Sequence, residues 1–157
     1  MSLIFKIFVL FCLTMNLVYS QTLASDVEIV ARTILREAFE KGDAAYDAIA
    51  WVIYNRVKSS SFPNEPKGVC LQNGQFAVWK SYWGKSNPKI PTSTDSALHD
   101  DYEYCLALAK NIVAGKAPKS GADPVKGAIF FLADKSSVRK NHPGGISIGG
   151  NYFFQKW

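Results

Sequence analysis

Val30-Ala31-Arg32-Thr33-Ile34-Leu35-Arg36-Glu37-Ala38 is the stretch on which the reading of this chain turns. At roughly 100° per residue, Val27, Val30, Ala31, Ile34 and Ala38 share one helical face. Glu37 lies at its margin, while Arg32, Arg36 and Glu40 point elsewhere. A carboxyl at the edge of an apolar face loses part of its hydration. That loss disfavours the ionised form and raises the pKa, as a general acid working near neutrality requires. A boundary glutamate paired with Arg36, Lys41 or a distant cation is the competing explanation. Arg36 is adjacent, but neighbouring helix residues diverge by about 100°, so its pull on Glu37 is expected to be modest.

On either side of this stretch the pattern is helices first, then a small sheet. Ser25-Asp26-Val27-Glu28 is a capping-box pattern opening the first helix, and Gly42 is expected to close it. Asp43 then caps a second helix, Ala44 to about Ser59, carrying Ala45, Ile49, Val52, Ile53 and Arg56 at helical spacing. Ser59-Ser60-Ser61-Phe62-Pro63 breaks it. From Asn64 to Pro91 the chain is rich in Gly, Pro, Asn and Lys, with aromatics at Phe76, Trp79, Tyr82 and Trp83. That composition predicts a long irregular segment, and such loops in compact domains tend to be functional.

A third helix is predicted from about Asp95 to Ala114, burying Leu98, Tyr102, Cys105, Ala109 and Ile112. Lys126–Leu132 and Asn151–Phe154 read as strands. Asn141–Gly145 and Ile148–Gly150 read as loops between them. The fold class is therefore α+β, with no repeat and no second domain.

Lys6, the apolar run Ile7–Leu13 and the small residues around Ser20 form a charged start, an apolar centre and a cleavage site. Residues 1–20 are thus expected to be a signal peptide and 21–157 the working domain. The apolar run is short for a membrane span, so no stable anchor is expected after cleavage. The chain holds 18 Lys or Arg against 13 Asp or Glu, a net charge of +5. Basic residues dominate beyond Cys105, where Asp123 and Asp134 are the only acids. This favours an anionic surface such as a bacterial wall as a partner. Export and the lack of any reading motif argue against nucleic acid.

Cys70 and Cys105 are the cysteines left after the leader. In an oxidising compartment such a pair is expected to bridge, contributing about 4 kcal/mol through loop closure. His99 and His142 have no partners at metal spacing, so neither a metal nor a cofactor is expected.

The blocks Ala31–Ala38, Val52-Ile53-Tyr54-Asn55-Arg56-Val57, Phe62-Pro63, Val69-Cys70, Gly74-Gln75-Phe76, Gly127–Phe131 and Ile148–Phe154 resemble, in order, the SleB-like cell wall hydrolases of the spore cortex-lytic type. The resemblance implies a lysozyme-like domain with a small antiparallel sheet. It also implies cleavage of the peptidoglycan glycan strand between N-acetylmuramic acid and N-acetylglucosamine. A monomer is expected. Lytic transglycosylation is the implied route, with Glu37 as acid and then base and a 1,6-anhydro sugar as product. Because no external water attacks, one carboxyl suffices. A hydrolytic muramidase and an inactive glycan-binding wall protein are the alternatives.

Asn55 is placed to hold a sugar or orient Glu37, or to satisfy a backbone group. Gln75 and Phe76 suit an N-acetyl sugar. Trp79 and Tyr82, with Trp83, are candidates for stacking on sugar faces, packing being the other explanation. Asn151 and Tyr152 complete the expected substrate contacts. The chain departs from the family pattern at Arg36, Phe39–Lys41, Ala77, Leu132 and Asn151.

Overall fold

A computed structural model describes residues 26–79 and 96–156. The expected signal peptide, Ser25, Tyr82 and Trp83 lie outside these residues. Helix α1 spans 26–37, followed by α2 (Asp43–Lys58), α3 (Pro66–Leu71), a 3-10 turn (Ala77–Trp79) and α4 (Ser96–Val113). Strand β1 (Phe130–Ala133), α5 (Ser136–Asn141), β2 (Ile146–Ile148) and β3 (Asn151–Phe154) complete the order. Among the described residues no helix is long and apolar enough to cross a membrane.

Helix α2 is the axis of the helical body. Ala45, Tyr46, Ala48, Ile49, Ala50, Trp51, Val52 and Ile53 are all buried, so nearly its whole circumference is covered. A helix apolar on every side has to be enclosed by other elements. Helices α3 and α4 pack against it. Two reciprocal bonds tie α4 down: Tyr46 donates to Asp101 at 2.8 Å, and Tyr104 donates to Asp47 at 2.7 Å. Helix α1 adds Val30, Ala31, Ile34 and Leu35 to the same core, and Ala38 just after it joins them.

Helix α1 ends earlier than expected. Glu40, not Gly42, adopts the left-handed conformation that closes it, with φ of 59°. Gly42, with φ of 78°, sits at the N-cap of α2, and Asp43 is the first helical residue rather than the cap. Within the expected irregular stretch after Asn64 the chain instead forms α3, started by Pro66 at its first position.

The sheet is antiparallel in the order β1-β3-β2, with Phe131 opposite Phe153 and Leu132 opposite Tyr152. The first strand is shorter than its apolar run. Asp123 accepts the amides of Val125 at 2.8 Å and Gly127 at 2.6 Å, which curls 123–128 into a turn. The ladder strand therefore starts only at Phe130. Between the two expected strands, helix α5 and strand β2 stand around the loop signals Asn141–Gly145 and Ile148–Gly150, and neither element was expected. Gly149 and Gly150 both have positive φ, 54° and 73°, and form the two-residue hairpin turn into β3. A Cβ at Gly149 would stand 2.5 Å from the Ala45 Cβ, so the bare turn presses against the first turn of α2.

The expected disulfide is not formed. Cys70 and Cys105 are both free and buried. They belong to helices that approach α2 separately and face different neighbours: Thr33 and Arg56 for Cys70, Asp101, Asp43 and Asp47 for Cys105. Burial pushes the Cys70 thiol up to about 12 and holds Cys105 well above the usual thiol range. Both thus remain protonated core groups. Reductant is accordingly expected to leave the thermal midpoint unchanged; a drop of several degrees on adding dithiothreitol would restore the bridge.

Candidate active site

Glu37 occupies the last turn of α1, half-buried, where the helix meets the 3-10 turn. Its Oε1 accepts the Val78 amide at 2.9 Å, and the Ala77 amide also donates to it. One turn earlier on the same face, Thr33 Oγ1 accepts the Trp79 indole N–H at 2.8 Å while donating to the Ile29 carbonyl at 2.7 Å. Residues four apart on a helix are neighbours, so α1 grips the turn at two successive points. The carboxyl position is therefore set by tertiary contacts as well as by the helix.

Burial raises the Glu37 pKa above the ordinary 4.5, and this outweighs the opposing pull of the Val78 and Ala77 amides, Lys41 and Arg56. Arg36 plays no part. It is exposed, with its guanidinium 5.8 Å from the Phe39 ring centre. Among the described residues Glu37 has no ion pair, which removes the boundary-salt-bridge explanation. For an acid that must be protonated to act, rate falls as pH rises through the folded pKa. The alkaline limb of kcat/KM is therefore expected above 4.5; measuring sacculus clearing across pH checks it, and a limb at or below 4.5 would contradict this placement.

Lys41, just past α1, donates to Asn151 Oδ1 at 3.3 Å. The bond ties the segment following Glu37 to the start of β3, next to the Gly149-Gly150 turn. Asn151 is 6% exposed, and its Nδ2 is enclosed without an acceptor. It thus braces the site from beneath.

Asn55 satisfies a backbone group, the last of the roles considered for it. Its amide donates to Asp123 at 3.0 Å and to the Ala128 carbonyl at 3.2 Å, holding the turn before β1 onto α2. Both amide hydrogens are occupied, so they cannot serve a sugar.

The aromatic expectations are corrected by burial. Phe76 and Trp79 are 1% and 3% exposed, leaving no ring face for a sugar. Tyr152 is buried too. Its hydroxyl accepts the Gly145 amide and donates to the His142 carbonyl, both at 2.9 Å, pinning the β2 approach. Gln75 is different. It is partly exposed and lines a cavity of about 500 Å³ with Gly74, Arg56, Phe130, Phe131 and Leu132.

Three polar residues at or beneath this site, Thr33, Arg56 and Asp123, were not among the expected site residues. Arg56 did leave a trace in the sequence, as a cation standing on the apolar stripe of α2.

The fold and site define a class: a lysozyme-like domain of helices and a small antiparallel sheet, with a half-buried carboxyl where the first helix meets the 3-10 turn. The chain belongs to the cell wall hydrolase family, whose profile matches residues 40–154, and so to the peptidoglycan-cleaving enzymes. Glu37 falls three positions before the matched region. The structure is similar to the catalytic domain of the germination-specific lytic transglycosylase SleB from Bacillus anthracis. That likeness has a TM-score of 0.55 at 25% identity and covers 83% of this chain and 93% of the other. It also shares its fold with the catalytic domain of Bacillus cereus SleB, with a TM-score of 0.53 at 23% identity, over 83% of this chain and 89% of that one. Comparison with curated proteins yields no match.

Proposed function

We propose that this protein is an exported peptidoglycan lytic transglycosylase in which Glu37 performs both proton transfers at the bond between N-acetylmuramic acid and N-acetylglucosamine. The observation that carries the reading is the environment of Glu37. It is one desolvated carboxyl whose perturbing neighbours are two backbone amides and two cations, with no second carboxylate among them. Such a group is protonated often enough to act as an acid, yet its conjugate base is supported.

In the reaction, protonated Glu37 gives its proton to the glycosidic oxygen as that bond breaks and oxocarbenium character develops at C1 of the muramic acid. The new carboxylate, held by the Val78 and Ala77 amides, then accepts the proton of the C6 hydroxyl. The C6 oxygen closes on C1, leaving a 1,6-anhydro end, and Glu37 is protonated again. A hydrolase with two carboxyl groups would need a base to activate water, and no carboxylate is among the groups that shift Glu37. Likeness to a SleB lytic transglycosylase domain adds support.

In this reading residues 1–20 direct export and 21–157 act on the wall, with the basic C-terminal half favouring an anionic surface. Mass spectrometry of muropeptides released from purified sacculi tests the reading. Anhydro ends are expected, at 18 Da below the hydrolytic product (roughly one water). Reducing ends alone would replace the transglycosylase with a muramidase.

A further inference from the structure

Two cavities lie beside the end of β3, one of about 500 Å³ and one of about 420 Å³. Gln155 and Lys156 line both, so the two adjoin as one groove across a shared ridge. Lys126 stands on the larger cavity and Lys58 on the smaller, and no Asp or Glu lines either. All three lysines are exposed and form no ion pair among the described residues. Asp123, the acid of the adjoining turn, is taken up within it. Its carboxylate accepts the Asn55 amide at 3.0 Å and the backbone amides of Val125 and Gly127 at 2.8 and 2.6 Å. None of the groups that shift Glu37 lines either cavity, so the groove is separate from the proposed chemistry.

Lys126 is held on this ridge at a conformational cost. Its φ is 48°, in the left-handed region that glycine and asparagine enter readily and a long side chain seldom does. The turn around Asp123 imposes that backbone, and the Gln155 side-chain amide donates to the Lys126 carbonyl. Strain of this kind gathers where a side chain serves a ligand. A glycine or asparagine at this position would relieve it and would take a cation out of the groove. The larger cavity also has apolar walls. Phe153 and Phe154 line it, and the His142 ring stacks on Phe154 with centres 4.1 Å apart. Charges of one sign around a cleft with low-dielectric walls focus their field into it. No arginine lines either cavity. Lysine is a point charge without a planar fork, which suits a phosphate, whose oxygens face every direction.

We propose that this groove binds a phosphodiester-linked wall polymer, a chain of polyol or sugar units joined through phosphates, and so holds the enzyme on the wall while Glu37 acts on the glycan. Lys126 and Lys156 meet a phosphate in the larger cavity, and Lys58 and Lys156 meet one in the smaller. Adjoining cavities that each carry cations suit repeated phosphates rather than a single one. The carbon units between the phosphates fit the apolar walls around Phe153 and Phe154. The choice of a wall polymer among phosphodiester polyanions rests on the proposed reading of Glu37; the cationic groove does not.

The test titrates the protein with a poly(glycerol phosphate) oligomer, followed by calorimetry and by the NMR amide signals of Gly127, Gln155 and Lys156. These signals are expected to move, and the affinity to fall at least about tenfold between low and high salt. Lys126→Asn is expected to weaken binding by about threefold, the worth of one exposed charge pair. It should do so without lowering the thermal midpoint, because asparagine accepts the left-handed backbone. Lys58→Gln, Lys126→Asn and Lys156→Gln combined should weaken binding by about thirtyfold if the three act independently. Unmoved signals, or equal binding by the wild type and the triple variant, overturn the proposal. A lower midpoint in Lys126→Asn together with lost binding makes that lysine a structural residue and overturns its assignment. Inorganic phosphate or phosphatidylglycerol vesicles bound as tightly at equal phosphate overturn the polymer as the occupant. Binding needs no turnover, so the two readings fail separately. If sacculi are cleaved and the polymer is not bound, the groove falls and the reading of Glu37 stands. If the polymer is bound and no cleavage occurs under any condition, the groove stands and the reading of Glu37 falls.

Discussion

Glu37→Gln is expected to lower kcat/KM on purified sacculi by about 10³-fold, within the usual range for removing a general acid. Glutamine keeps the size and an oxygen able to accept the Val78 amide, but it has no proton to give and cannot take one from a C6 hydroxyl. The stability consequence has a definite sign. A carboxyl whose pKa is raised by folding contributes stability that is full below the unfolded value near 4.5 and is lost as pH rises through the folded value. Glutamine carries no such loss. The variant should therefore be at least as stable as the wild type at pH 7, while this advantage disappears in acid. Zymography beside thermal denaturation at pH 4 and pH 7 checks both statements. Clearing equal to wild type would remove Glu37 from the chemistry, and a large loss of stability at pH 7 would make it a structural group instead.

Phe76→Ala is expected to cost about 3–5 kcal/mol of folding stability, the range for emptying a buried aromatic site. Phe76 is 1% exposed, lies under Arg56 at 4.9 Å, and stands 6.1 Å between ring centres from Phe131 of β1. Its carbonyl accepts the Trp79 amide at 3.3 Å, so it also begins the turn whose amides hold Glu37. One truncation thus loosens the helix–sheet contact, the support of the buried cation and the carboxyl cradle together. Urea denaturation measures the first effect. Activity, assayed where the variant is still folded, should fall in kcat more than it rises in KM. A sugar-stacking Phe76 would give the reverse, a raised KM and a stability change below about 1 kcal/mol.

Glu37 was legible because its helix has a clean 3.6-residue pattern and its carboxyl interrupts that pattern at the margin. The three long helices were legible for the same reason. Strand β3 was found because Asn151–Phe154 is a short, aromatic run that follows two glycines. The apolar run before it was overextended, because Asp123 takes the Gly127 amide that the start of the strand would have used. Aromatic residues misled in a particular way. Phe76, Trp79 and Tyr152 have composition suited to a sugar groove, yet burial assigns them to packing. Residue type alone does not tell which face of a ring is covered.

The cysteines show the same boundary. Two thiols in a chain expected to be exported make a bridge reasonable, but bridging requires the thiols to meet, and here they are enclosed in different surroundings beside α2. What the sequence by itself determined is local: helix periods, turn glycines, the placement of one carboxyl at an apolar edge, and an ordered set of family blocks. The tertiary structure decided everything that depends on distant partners. It supplied the Val78 and Ala77 amides to Glu37, spent the Asn55 amide on Asp123, and buried Arg56 against Phe62 and Phe76 with its Nε on the Ile129 carbonyl. Periodicity records which face a side chain lies on. Ionisation and hydrogen bonding depend on what that face meets, and residues up to about a hundred positions apart settle that only when the chain has folded, as Lys41 and Asn151 do across 110 positions.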